Sequence, residues 1–324
     1  MEIVRVQNLT KTYATYERGS GFGETVKSFF HRKKVVVNAV DDVTFTIAQG
    51  EICGILGPNG AGKSTAIKML CGALYPTSGD ISVLGFNPAK ERRRYVSQIG
   101  AVFGQKSQLI WDIPPADSFA MNKAIYGISN TDYKARLDEL SVLLGTEEIM
   151  RKPTRVLSLG ERMKCEFIMA MLHNPPIVFL DEPTIGLDVI AKNSIRTFIR
   201  SRNAAGTTFL LTTHDLDDVK ELADRVVVIN HGKKVFDDTL EKLRNSLGEK
   251  KIVELKLEQP HAFADTAEIK VLTQPSPLEV TLEIDTARLP VDAFLRTITA
   301  QVSFTDISVR ELPMEEIITK IYMR

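Results

Sequence analysis

The chain has 324 residues, 44% of them apolar, and its 41 Lys and Arg balance 41 Asp and Glu. That leaves room for two domains with an ordinary buried core, and it speaks against binding to nucleic acid by bulk charge, though not against a local basic patch. No apolar run approaches the roughly 20 residues needed to cross a bilayer, and Met1-Glu-Ile-Val-Arg-Val6 lacks the pattern of a signal peptide.

Residues 2–6 alternate as a strand and lead into Asn8-Leu-Thr-Lys-Thr-Tyr13. Between 17 and 34 the pattern breaks. Gly19, Gly21 and Gly23 precede Val26, Phe29, Phe30 and the basic run His31-Arg-Lys-Lys34, an insertion that suits local packing or a partner or anionic lipid surface. Alternation resumes at 35–37 and 43–47, and Gln49-Gly50 turns into the apolar strand Glu51–Leu56. GPNGAGKST follows directly at 57–65 and fits G-x-x-x-x-G-K-[ST], with a helix opening over Thr65–Leu70. Strand, glycine loop and helix are the context this motif needs. Gly57, Gly60 and Gly62 let the backbone through Pro58, Asn59 and Ala61 curl so that N–H groups point into one concavity at the positive end of the helix, and the nucleotide site runs on to Thr65. Lys63 is placed to reach the β- and γ-phosphates, and Ser64 to ligate Mg²⁺.

Residues 81–84 and 99–103 read as strands, the second ending at Gly104-Gln105. From Pro114 to about residue 174 the period becomes helical, with helices at 117–127, 131–144 and 160–173. Leu157-Ser-Leu-Gly-Glu161 opens the last of these, where Ser158 and Gly160 make either a plain helix cap or an anion site of hydroxyl and free amides. Strands return at 177–180, 208–211 and 225–229, separated by helices at 188–204 and 215–223. Continuous apolar strands alternating with helices predict a mostly parallel sheet covered on both faces. The strand at 177–180 ends in two acids. Asp181 at its edge is placed beside the Ser64-held Mg²⁺, and Glu182 is placed to orient or deprotonate an attacking water. Cys53, Cys71 and Cys165, far apart in strand-like or helix-like runs, read as reduced core thiols of a cytosolic chain. After Gly232 a linking helix at 239–247 precedes strands at 252–257, 268–272 and 278–284, a helix at 290–300, a strand at 302–309 and an amphipathic helix at 313–322. These form a separate α+β domain of about 80 residues.

Six motifs stand in order: GPNGAGKST, Gln105 after its strand, LSLGE at 157–161, IVFLDEPT at 177–184, Gly186-Leu-Asp188, and Thr212-Thr-His214-Asp215. The set resembles the nucleotide-binding subunits of ABC transporters over about residues 1–235. That resemblance implies an α/β P-loop NTPase (RecA-like) core at 1–238, with an antiparallel β-subdomain, the insertion at 17–34 and a helical subdomain at about 106–175; 239–324 is then an accessory α+β domain. It implies ATP with Mg²⁺, a catalytic set of Lys63, Gln105, Glu182 and His214, and metal ligands Ser64, Gln105 and Asp181, with Tyr13 stacked on adenine. Ser158, Gly160 and Glu161 of one chain would close over the ATP of a second nucleotide-binding subunit, identical or closely homologous, with Asp188 at the seam. The signature departs from the usual LSGGQ at Leu159 and Glu161. The segment after Gln105 would line the groove for a separate integral-membrane permease; there Gln108 rivals Gln105, and Trp111 is either core or a groove anchor. The insertion and the C-terminal domain resemble, more weakly, ATPases that serve exporters. The expectation is an ATP-hydrolysing exporter subunit on the cytoplasmic face of the cell membrane, without a nucleic-acid partner.

Overall fold

The computed structural model describes residues 1–16, 34–104, 106–245 and 249–323; Gln105 and all but the last residue of the insertion expected at 17–34 lie outside the described residues. The chain divides into two compact units, Met1–Thr239 and Leu240–Arg324.

In chain order the first unit holds β1 (Glu2–Tyr16), β2 (Lys34–Ala48), β3 (Ile52–Leu56), α1 (Lys63–Leu70), β4 (Ser78–Val83), β5 (Ile99–Phe103), α2 (Pro115–Tyr126), α3 (Asn130–Leu144) and α4 (Leu159–Met171). It continues with β6 (Ile177–Asp181), α5 (Val189–Ala204), β7 (Thr208–Thr212), α6 (Leu216–Leu222), β8 (Arg225–Asn230) and β9 (Lys233–Thr239). The main sheet has the order β5-β6-β7-β3-β8-β9, parallel except for β9. A second, antiparallel sheet has the order β2-β1-β4.

The apolar runs are continuous because both faces of the main sheet are covered. On β6, Ile177 and Phe179 face a core shared with Val4, Val43 and Phe45 of the antiparallel sheet, while Val178 and Leu180 face Phe167 and Phe198 of the helices. Burying each such side chain contributes roughly 1.5–3 kcal/mol.

Two departures from the sequence reading have a common origin. β1 and β2 are 15-residue strands, where alternation suggested short pieces. Their polar stretches are absorbed by register shifts between Val6 and Leu9 and between Leu9 and Lys11, with Asn8 and Asp42 at positive φ and the Asn8 amide donating to Asp42 at 2.7 Å. β9 was not anticipated, since an edge strand reading Lys-Lys-Val-Phe-Asp-Asp-Thr carries little apolar period. Cys53, Cys71 and Cys165 are buried and form no disulfide, and burial pushes each thiol pKa up.

His173, just after α4, accepts or donates at Nε2 to the Ile99 carbonyl at 2.9 Å and stacks on Tyr126. Burial holds its pKa down at about 4, from 6.5. Between those values the unfolded chain takes up a proton that the folded chain refuses. The stabilisation is therefore complete above about pH 6.5 and is lost as pH falls towards 4. Calorimetry should show the melting midpoint falling from about pH 7 to about pH 5, with a shallower slope for His173→Gln; equal slopes would remove His173 from the account.

The second unit comprises α7 (Leu240–Asn245), β10 (Lys250–Leu257), β11 (Ile269–Ser276), β12 (Glu279–Asp285), α8 (Val291–Gln301), β13 (Phe304–Glu311) and α9 (Met314–Tyr322). Its antiparallel sheet has the order β11-β12-β10-β13 and packs Val253, Leu255 and Leu282 against Phe294 and Ile298 of α8. Glu283, buried on β12, is ion-paired to Lys250 and to Lys320, which ties α9 to the sheet. Among the described residues no helix is long and apolar enough to cross a membrane.

Candidate functional site

The glycine loop, the two acids and the histidine meet at the C-terminal ends of β3, β6 and β7, where parallel sheets open their crevices. The loop runs where side chains cannot. A Cβ on Gly57 would lie 2.2 Å from the Ile229 carbonyl oxygen, and one on Gly62, at φ +108°, would lie 2.1 Å from that of Ala39. Gly62 caps α1, so the helix N-terminus faces the loop. Lys63, 4% exposed, donates from Nζ to the carbonyls of Gly57 at 2.8 Å and Pro58 at 3.1 Å. Burial lowers its pKa, while the charges of Glu182 and Asp181 pull the other way.

Asp181 Oδ1 accepts from Ser64 Oγ at 2.8 Å and from Thr212 Oγ1 at 2.6 Å, which joins α1, β6 and β7 through one oxygen. Glu182 has φ +52°, a strained value for a side chain with a Cβ, and its N–H is held by the Thr212 carbonyl at 3.0 Å and hydroxyl at 3.2 Å. Its Oε1 lies 3.3 Å from His214 Nδ1. Asn59, Ser64, Lys68, Asp181, Glu182 and His214 stand in the wall of one cavity of about 450 Å³, with Phe103 and Lys106 on the β5 side.

A buried network supports this wall. Asp218 on α6 accepts from Arg196 Nε at 2.8 Å and Nη2 at 2.6 Å, and its other oxygen takes the hydroxyls of Thr184 and Thr213. Thr184 lies two residues after Glu182 and Thr213 immediately before His214, so one carboxylate fixes both approaches. Reading the sequence alone missed this network, because Leu-Asp-Asp-Val-Lys reads as a solvent-facing helix. It also missed Thr212, although the hydroxyl lies inside the Thr-Thr-His-Asp motif, and the cavity lysines Lys68 and Lys106.

The other predicted site residues divide into two places. Tyr13 is exposed on β1 opposite Val37, with Lys11 Nζ 5.4 Å from its ring. Val37 is two residues from Ala39, which abuts Gly62, so Tyr13 belongs to the strand pair that borders the loop. Gly60, at φ +80°, and buried Ala61 are in the loop, and Thr65 is half-buried on α1.

Ser158, Gly160, Glu161 and Asp188 line none of that cavity. Ser158 caps α4: its Oγ accepts from Glu161 N at 3.2 Å, and its own N–H donates to Glu161 Oε2 at 2.8 Å. Those hydrogen bonds hold the Glu161 carboxyl below its ordinary pKa. A Cβ on Gly160 would meet Ala191 Cβ at 2.8 Å, and Asp188 caps α5 by accepting from Ala191 N at 2.8 Å. Signature loop and Asp188 are thus neighbours. Gln108 turns its amide to the Ala101 carbonyl at 2.7 Å. Trp111 is 52% exposed with Arg162 over its ring, which rules out the core reading for it.

A glycine loop on a parallel sheet, capped by a helix and faced by strand-end acids, defines a P-loop nucleotide-binding protein. The family described as ABC transporter matches residues 40–185. The ATP-binding protein NatA of Bacillus subtilis is 36% identical over 217 residues, 67% of this chain and 88% of that protein. The daunorubicin/doxorubicin resistance ATP-binding protein DrrA of Streptomyces peucetius is 32% identical over 85% of this chain and 84% of its own. A solved ATP-binding subunit of an ABC transporter matches with a TM-score of 0.63 at 26% identity, covering 76% of this chain and 93% of that one. The chain belongs to the ATP-binding subunits of ABC transporters and is, by that membership, an ATPase.

Proposed function

We propose that two copies of this chain, or one copy and a close homologue, pair head to tail around two ATP molecules, and that the resulting closure drives a separate membrane permease as an exporter. The observation that carries this reading is the division of the site. Ser64, Asp181, Glu182 and His214 gather around one cavity, with Lys63 beside Ser64 bonded to the loop carbonyls of Gly57 and Pro58, while Ser158, Gly160 and Asp188 lie together outside that cavity. The second group, built from a capped helix N-terminus and a hydroxyl, suits the γ-phosphate of an ATP held by the other subunit.

In this reading Lys63 and the loop amides bind the phosphates, and Tyr13 stacks on the adenine. Glu182 takes the proton of the attacking water, and His214, 3.3 Å from it, orients that water and contacts the γ-phosphate. The Ser64 hydroxyl and Asp181 carboxylate, 2.8 Å apart, are hard oxygen donors of the kind Mg²⁺ takes, and they would hold it with Gln105. When bound, the ion would neutralise charge on the β- and γ-phosphates.

Permease docking is supported by exposed Ile110, Trp111, Met121 and Ile125, which follow β5 and continue along α2. The exporter assignment is supported by the likeness to DrrA, a resistance protein. In this reading the chain lies peripherally on the cytoplasmic face of the membrane. The C-terminal unit is proposed as an accessory domain.

Sedimentation of Glu182→Gln decides the shared-site reading. It should run as a monomer without nucleotide and as a dimer with MgATP, and Ser158→Arg added to it should abolish the dimer. A monomer under both conditions would reject the reading.

A further inference from the structure

Four charged side chains are buried among the described residues: Lys63, Glu166, Asp218 and Glu283. Three are explained by the partners given above. Glu166 is not. It lies on α4, eight residues after Ser158, is 3% exposed, and has no ion-pair partner among the described residues. Burial pushes its carboxyl above the usual range, and its hydrogen bonds pull it back.

Among the described residues, every donor to it comes from one short segment. Ser107 donates from Oγ at 2.5 Å, Gln108 from its backbone N–H at 3.0 and 3.1 Å to the two oxygens, and Leu109 from its N–H at 3.4 Å. That segment follows Lys106, which stands in the nucleotide cavity and whose N–H is bonded to the Phe103 carbonyl at 2.9 Å. The loop is therefore hung at one end on β5 and at the other on α4. Removing the carboxylate would strand the Gln108 N–H and leave the Leu109 N–H only its 3.2 Å bond to Ser107 Oγ, which is why a carboxylate stands where a helix core position would ordinarily be apolar.

We propose that Glu166 is a positioning residue for hydrolysis: it ties the Lys106 wall of a subunit's own ATP cavity to the helix whose first turn, Ser158 and Gly160, faces the other subunit's ATP. The proposal rests on the shared-site reading above. α4 is a rigid lever of 13 residues, and Glu166 is the point where the loop is fastened to it. Contact at the signature end is in this way transmitted to the cavity wall through hydrogen bonds of named geometry.

The test uses the purified full-length chain with MgATP, and measures ATP affinity by equilibrium titration and turnover per bound nucleotide. Glu166→Gln keeps the shape but sets an NH₂ group against N–H donors. It should lower kcat about tenfold while the ATP dissociation constant stays within about twofold. A merely structural residue would instead lower the fraction of chains that bind ATP and leave turnover per bound nucleotide unchanged. Ser107→Ala, an exposed position that endangers folding little, should lower kcat about threefold, and the double variant should be no slower than Glu166→Gln alone. Additive losses, or an unchanged kcat in Glu166→Gln, would overturn the proposal. Ser158→Ala separates the two levels: if it leaves kcat unchanged, the shared-site reading fails and this proposal with it. If it slows turnover while Glu166→Gln does not, the shared site stands and only the role of Glu166 is lost.

Discussion

Glu182→Gln is expected to lower steady-state ATP turnover by about two to four orders of magnitude, the usual worth of a positioned general base. The expectation follows from three features. The carboxylate is only 3.3 Å from His214 Nδ1, it stands in the cavity wall beside Asp181, and its backbone is held at φ +52° by an N–H that donates to the carbonyl and the hydroxyl of Thr212 on β7. A left-handed conformation at a non-glycine residue costs about 1–3 kcal/mol and persists only where the surroundings impose it. The amide keeps that backbone and the size of the side chain, so ATP binding should survive while proton removal is lost. Phosphate-release kinetics beside a nucleotide titration separate the two. If turnover in Glu182→Gln stays within about threefold of the parent, another group takes the proton and the assignment of the base is wrong.

Gly62→Ala should weaken ATP binding on the order of a hundredfold, because the added methyl displaces the phosphate cradle. Its Cβ would lie 2.1 Å from the Ala39 carbonyl oxygen, a fixed backbone atom of β2, at a φ of +108° that side chains rarely adopt. Neither strain is relieved without moving the loop away from β2. Gly60→Ala is the matched control: φ is also positive, at +80°, yet nothing lies within 4 Å of the added Cβ. It should lose far less affinity. Equal losses at the two positions would mean that backbone strain alone, and not the close approach to β2, sets the geometry of the loop.

The chemistry was legible because phosphate binding needs residue types at fixed spacing. Gly57 to Thr65 carry the glycine spacing of a phosphate loop within nine consecutive residues, and Asp181 and Glu182 end a strand whose apolar run marks it as buried. The short strands and helices followed from period for the same reason. Where period failed, the cause was physical: β9 is a polar edge strand, and β1 and β2 pass through bulges that take polar residues without ending the pairing.

What the amino-acid order determined by itself is thus the set of parts: a phosphate loop, two strand-end acids, a histidine and a capped signature helix. Which of them share a cavity was decided by the tertiary structure. Residues 117 positions apart, Ser64 and Asp181, meet at 2.8 Å, whereas Ser158, nearer in sequence to Asp181, stands apart from both. The buried Asp218 and Glu166 were likewise invisible, since a charge on a helix reads as solvated until its donors arrive from distant segments. Local spacing encodes local backbone geometry, but the partners of a buried charge are chosen only when the sheet and helices pack.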